Sequence, residues 1–121
     1  MNKIVYSAQD AQAATTHADW GSLMWLAGKP IGNATGLTLG HVTIKKGQCN
    51  PRHTHFNCEE VLYLLKGKLE HTLGDEKYIL NPGDTLCAPA GIVHNATSIG
   101  DEDAEMIVAF SSIDRDFVPE K

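Results

Sequence analysis

The residues best suited to chemistry lie in the run Gly47-Gln48-Cys49-Asn50-Pro51-Arg52-His53-Thr54-His55, with Glu60 and Gly67 downstream and His94 farther on. His53 and His55 are two apart, so an extended strand projects both imidazoles from one face. Glu60 follows five residues later and opens the apolar run Val61 to Leu65. His94 closes the turn-rich stretch Pro89-Ala90-Gly91-Ile92-Val93. Three imidazole nitrogens and a carboxylate oxygen that converge make a site for one divalent transition metal. This mixed donor set suits Fe, Mn, Ni, Zn or Cu. Four protein ligands leave one or two positions for water or substrate, which separates a catalytic from a structural metal.

The elements that position these groups read as all-β. Short runs, alternating or continuously apolar, are separated by Gly, Pro, Asn and Asp. The pattern predicts strands over 3–6, 22–26, 37–45, 61–65, 69–73, 78–80, 85–88, 93–97 and 105–111. Asn81-Pro82-Gly83-Asp84 predicts a turn, with Pro presetting φ and Gly accepting positive φ, and residues 74–77 a hairpin loop. Residues 8–19, rich in Ala, Gln and Thr, form a short helix or an irregular arm. No second domain, repeat or low-complexity segment interrupts the chain. Many short strands at this spacing point to a sandwich or a jelly roll.

The same residues resemble the two cupin motifs. Gly47, five residues, His53-Thr54-His55, four residues, Glu60, six residues and Gly67 resemble the first without a gap. Gly83, five residues, Pro89-Ala90-Gly91, two residues and His94 resemble the second. The second motif usually ends in Asn four residues after its His; here that position is Ser98, a departure that touches packing rather than ligation. The resemblance spans about half of the chain. It implies a double-stranded β-helix, an RmlC-like jelly-roll barrel, in a single cupin domain of residues 1–121. An N-terminal strand and arm (1–36) would precede the barrel (37–111), and a tail (112–121) would follow it. It makes His53, His55, Glu60 and His94 the metal ligands.

The residues add detail to that frame. An inward Glu60 carries Leu62 and Leu64 inward, and turns Val61, Tyr63 and Leu65 outward. An inward His94 carries Ile92 and Ala96 with it. The pocket is then mostly apolar, as small-molecule sites are. His71, between Leu69 and Leu73 on one parity, is either a hydrogen-bonded core histidine or the candidate acid–base group of the pocket. His41 shares a parity with Leu37 and Leu39 but lies outside both motifs. His17 belongs to the polar arm. Arg52 abuts His53, so alternation points it away from the metal. Cys49 and Cys58 flank the histidine loop and can approach a substrate or partner; free Cys is more often a small buried hydrophobe, and Cys87 is assigned to the core. Trp20, Met24 and Leu26 share a parity, as do Met106, Val108 and Phe110, and both stripes are read as core and secondarily as pocket walls.

Composition bounds the function. A formal net charge of −5 and a pI near 5.6 argue against nucleic acid or an anionic membrane as partner. No run approaches the ~20 apolar residues of a bilayer span, and the N-terminus lacks a signal-peptide core. Three cysteines without a CxxC argue against a disulfide framework. The expectation is a cytoplasmic protein. Its function is expected to be metal-dependent catalysis, of dioxygenase or isomerase type, on a small oxygenated metabolite. The alternative is a non-catalytic module that binds a small molecule or metal. A third option, a metal-free epimerase-like site, conflicts with retention of all four ligands. The apolar N-terminal strand and the outward Val61, Tyr63 and Leu65 need cover, which predicts a homodimer.

Overall fold

Alternation between buried and exposed side chains organises the strands of this chain into two facing sheets. The computed structural model describes residues 4–121. In chain order the elements are helix α1 (Ala8–Ala13) and strands β1 (Thr16–Ala18), β2 (Gly21–Ala27), β3 (Thr38–Ile44), β4 (His53–Thr54), β5 (Glu60–Lys66), β6 (Leu69–Leu73), β7 (Glu76–Leu80), β8 (Thr85–Ala88), β9 (His94–Ser98), β10 (Ala104–Phe110) and β11 (Val118–Pro119). The first sheet runs β1-β2-β3-β10-β5-β8 and the second β11-β4-β9-β6-β7. The strand pairings within both are antiparallel. This is the expected all-β jelly-roll barrel. Among the described residues no helix is long and apolar enough to cross a membrane.

The core fills the space between the sheets. In β10, Met106, Val108 and Phe110 are buried while Glu105, Ile107 and Ala109 are less so. In β5, Glu60, Leu62 and Leu64 are buried, and Tyr63 and Leu65 are exposed, as the parity of the strand predicts. Register sets what each end of β5 meets: Leu64 lies opposite Met106, and Glu60 opposite Phe110. One end of the strand therefore carries apolar core and the other delivers a carboxylate. Gly67, with φ +87, joins β5 to β6. A Cβ there would sit 2.8 Å from Ala104 Cα and 2.9 Å from the Asp103 carbonyl oxygen, so only glycine allows this approach.

The turn at 81–84 forms as expected. Asp84 N–H donates to the Asn81 carbonyl at 3.0 Å, and Gly83 has φ +93. The hairpin after β6 is tighter than expected: β7 starts at Glu76, leaving Gly74 and Asp75 as the loop.

Five expectations need correction. The strand expected over 3–6 does not form in its described part; Ile4 and Val5 are 93% and 74% exposed and Lys3 lies outside the described residues. Within 8–19 the short helix forms as α1, capped by the Ser7 hydroxyl accepting from Asp10 N–H, but the rest is not irregular: it supplies β1, an edge strand of the first sheet. In β2 the inward parity is that of Leu23 and Trp25, not of Met24 and Leu26. Trp20 precedes the strand, and both faces of β2 are apolar, so hydrophobicity alone does not select one. Cys87 is exposed, because Leu86 and Ala88 take the inward positions of β8. The C-terminal tail expected over 112–121 carries a strand: it includes β11, which pairs with β4 at the second sheet's edge.

Candidate metal centre

One strand pair, the residue that follows β4 and one strand end bring the four donors together. β4 pairs with β9 so that His53 faces His94. His55 follows β4 on the parity of His53, and Glu60 opens β5 from the opposite sheet. All four are buried, at 2–7% exposure. One donor atom from each lies within 4.8 Å of every other. His53 Nε2 is 3.1 Å from His94 Nε2, and Glu60 Oε1 is 3.2 Å from His94 Nε2 and 3.3 Å from His55 Nε2.

Hydrogen bonds on the far side of two rings orient their lone pairs. His53 Nδ1 lies 2.7 Å from the Pro51 carbonyl oxygen and His55 Nδ1 lies 2.6 Å from that of Asp116. Carbonyls only accept, so both Nδ1 atoms are the protonated ones and both Nε2 atoms present lone pairs to the centre. At His55 that lone pair faces the Glu60 carboxylate, another acceptor, and His55 Nε2 is a buried atom with no hydrogen-bond partner among the described residues. One proton on His94 Nε2 can serve His53 or Glu60 but leaves His55 unsatisfied. Converging acceptors of this kind fit a cation.

Electrostatics agree. Burial drives the His53 imidazole down to about 4, reinforced by His94 and His55 and opposed by the bond to Pro51. Burial pushes the Glu60 carboxyl up, but the adjacent imidazoles of His55 and His94 outweigh it and hold the group well below the usual carboxylate range. At neutral pH the set is thus neutral at His53 and anionic at Glu60, as metal ligation requires.

A cavity of about 170 Å³ opens beside the four donors. Trp25, Leu62, Met106, Val108 and Phe110 supply much of its apolar wall, and His71 reaches it from β6. His71 is 2% exposed, and its ring centroid lies 5.6 Å from that of His94. Its Nδ1–H donates to the Thr72 carbonyl at 3.0 Å, and burial lowers its pKa to about 4. The structure thus makes His71 both a buried, hydrogen-bonded histidine and a cavity residue.

The other singled-out residues lie elsewhere. His41 stands on the outer side of β3, 3.5 Å from Glu105, and His17 is exposed. Arg52 points away from the donors, to Glu120, Thr72 and the Gly74 carbonyl. Cys49 is exposed; Cys58 is buried, and burial, with Asp116 nearby, pushes its thiol up. Ser98, fully buried, takes the position where the second motif usually has Asn, and its N–H donates to the Gln48 carbonyl at 2.9 Å.

Sequence reasoning missed the C-terminal segment. Phe117 stacks on His53 with centroids 4.6 Å apart, Arg115 lines the cavity, and the Asp116 carbonyl holds His55. The Asp116 carboxylate in turn accepts from Phe56 N–H at 2.8 Å, fixing the loop after His55. The one signal for this was an aromatic residue set among alternating charges, Asp114-Arg115-Asp116-Phe117.

Comparisons with known proteins agree with this geometry. Oxalate oxidase 2 of Hordeum vulgare is 28% identical over 119 residues, covering 89% of this chain and 53% of that protein. Germin-like protein subfamily 2 member 1 of Arabidopsis thaliana is 35% identical over 85 residues, covering 66% and 39%. The chain spans about half or less of these curated relatives. Among solved structures, an oxalate decarboxylase of Lactobacillus farciminis in a formate complex superposes with a TM-score of 0.80 at 19% identity, over 87% of this chain and 32% of that one. KdgF from Halomonas sp. superposes with a TM-score of 0.70 at 25% identity, over 81% and 86%. The family profile described as "Cupin domain" matches residues 40–110. That span exceeds half of the chain and holds all four converging donors, and this protein belongs to the cupin domain family.

Proposed function

We propose that this protein is a metal-dependent enzyme that takes one divalent transition metal at His53, His55, Glu60 and His94 and acts on a small oxygenated metabolite. The observation that carries this reading is the pair of carbonyl-anchored imidazoles whose bare Nε2 atoms converge with a buried carboxylate beside an apolar cavity. Bound there, a divalent metal supplies Lewis-acid chemistry or, if redox-active, chemistry with O₂. The chain's own residues do the rest. Pro51 and Asp116 hold two imidazoles in their ligating tautomer. The apolar wall keeps water from the centre. His71, neutral at pH 7 with its proton on Nδ1, offers Nε2 as a proton acceptor at the cavity.

Relatives named as oxidases favour a redox-active metal and chemistry with O₂, of which the dioxygenase type is one form. Isomerase-type proton transfer is the second reading, favoured by the neutral base His71 beside the centre. Elemental analysis of the isolated protein, followed by O₂ uptake with the Fe- and Mn-loaded forms against a panel of small oxygenated metabolites, tests the proposal. Metal near one per chain with turnover of a panel member is expected. Metal retention without any turnover leaves a binding module instead.

His71→Gln is expected to keep metal content and to lower turnover by about 100- to 10,000-fold, the range of general acid–base contributions, or to weaken ligand affinity. A large drop in melting temperature with unchanged ligand binding makes His71 a structural residue, since truncating a buried hydrogen-bonded group costs about 1–3 kcal/mol.

The working unit we infer is a homodimer. Tyr63 and Leu65 are 44% and 45% exposed on the outer face of β5, and Ile4 and Val5 lie uncovered nearby in sequence to the edge strand β1. Light scattering at micromolar concentration is expected to give about twice the 13.1 kDa chain mass. A single-chain mass refutes it.

A further inference from the structure

The C-terminal segment puts one cation in the cavity wall that the four donors do not use. The Arg115 guanidinium carbon lies 4.9 Å from the ring centroids of both Trp25 and Phe110, and 5.6 Å from that of Phe117. Arginine is seldom buried without an acidic partner. Half-buried Arg115 forms no ion pair at contact distance and no side-chain hydrogen bond among the described residues; Glu60 and Asp116 act on its charge only through space. The acidic groups beside it in sequence are engaged elsewhere. Asp114 pairs with Lys29 at 2.6 Å, and Asp116 accepts from the backbone N–H groups of Phe56 and Asn57.

Cation–π contact with three rings accounts for where the charge sits. It offers no acceptor to the five N–H donors in the guanidinium plane. Those donors match a carboxylate, which a guanidinium takes through two parallel hydrogen bonds. The charge count points the same way. Three neutral imidazoles and one carboxylate leave a divalent metal with a net single positive charge, and Arg115 adds a second. An anion brought into this cavity meets two positive centres, one on the metal set and one on the guanidinium, which lies over the Phe110 and Phe117 rings that flank His55 and His53. Trp25, Leu23, Met106 and Phe110 are among the remaining walls, and they match an apolar or aromatic body.

We propose that Arg115 is the substrate-anchoring residue, binding the carboxylate of an organic acid whose apolar body lies along Trp25 and Phe110. The carboxylate anchor stands on Arg115 alone. That the body then reaches the four donors rests on the function proposed above.

Benzoate, the uncharged isostere benzamide, and oxalate are the probes. Their binding is followed by calorimetry and by quenching of tryptophan fluorescence, since Trp20 and Trp25 both line the cavity. Zinc-loaded and metal-free protein are both measured. Benzoate is expected to bind at least about 10-fold tighter than benzamide, and tighter than oxalate. Arg115→Gln is expected to weaken benzoate by about 10- to 100-fold, as loss of hydrogen bonds to a charged group does, with benzamide affinity and zinc content unchanged. Arg115→Lys should recover part of the preference. Equal binding of benzoate and benzamide by the unaltered protein, or no binding of benzoate, overturns the proposal. So does equal weakening of both probes in Arg115→Gln together with a fallen melting temperature, which makes Arg115 a clasp for the segment. Tighter oxalate than benzoate overturns the apolar body. A protein that takes up no zinc defeats the proposed enzyme function, while the benzoate-to-benzamide ratio in the metal-free form still decides Arg115.

Discussion

Replacing His53 and His94 together with alanine is expected to abolish metal binding and leave a folded barrel. The two side chains face each other across β4 and β9, with their Nε2 atoms 3.1 Å apart. Removing both leaves His55 and Glu60 of this set, two donors from a loop and a strand end, too few to enclose an ion at this centre. Metal content should fall from near one per chain to near zero. A ligand that binds the folded state alone stabilises it by about 2.7 kcal/mol at a hundred times its dissociation constant. For a domain of this size that is about 10 °C of melting temperature. The unaltered protein should show this increment on metal addition and the double variant should not. Ile44, Leu64 and Leu69 pack in the core outside the cavity that the four donors line, so far-UV circular dichroism of the variant should match that of the unaltered protein. Unchanged metal content in the variant would sink the assignment.

The reason these four residues were legible in the sequence is local. His53 and His55 are bound by strand parity, Glu60 by its place at the head of an apolar run, and His94 by the turn before it. The glycines fix where each run must stop; Gly67 does so because Ala104 leaves no room for a Cβ. What was not legible has one of two causes. Where both faces of a strand are apolar, alternation carries no direction, and β2 was assigned the wrong face. A register irregularity between Trp25 and Ala27 further blurs its period. Where an element owes its place to distant pairing, the chain nearby holds no signal. β11 is two residues long and pairs with β4 more than sixty positions away. The bonds from the Asp116 carbonyl to His55 and from its carboxylate to Phe56 N–H span the same distance. Residues 112–121 read as a tail because their place is set by long-range pairing, which brings Arg115 and Phe117 to the cavity wall.

The metal-free protein is expected to lose stability as pH falls from about 6.5 to 4, and to be most stable above that window. His53 and His71 each have a folded pKa of about 4 against an ordinary 6.5, burial being the chief cause for both. Between those values the unfolded chain binds protons that the folded chain refuses. The unfolding free energy therefore rises with pH inside the window and is level in this respect above it. The fall from 6.5 to about 4 amounts to on the order of 3 kcal/mol for each histidine, a large part of the stability of a small domain. Glu60 acts in the same direction lower down: its carboxyl is held below the usual range, so its contribution disappears as pH drops further and it is protonated. Chemical denaturation of the metal-free protein at pH 7.5, 6 and 5 measures the slope. A level unfolding free energy across those three values would contradict the burial of two neutral imidazoles. His71→Gln should make the slope shallower, because one of the two titrating groups is gone. Adding metal should make it steeper, since ligation needs the same imidazoles neutral and protons displace the ion over the same window.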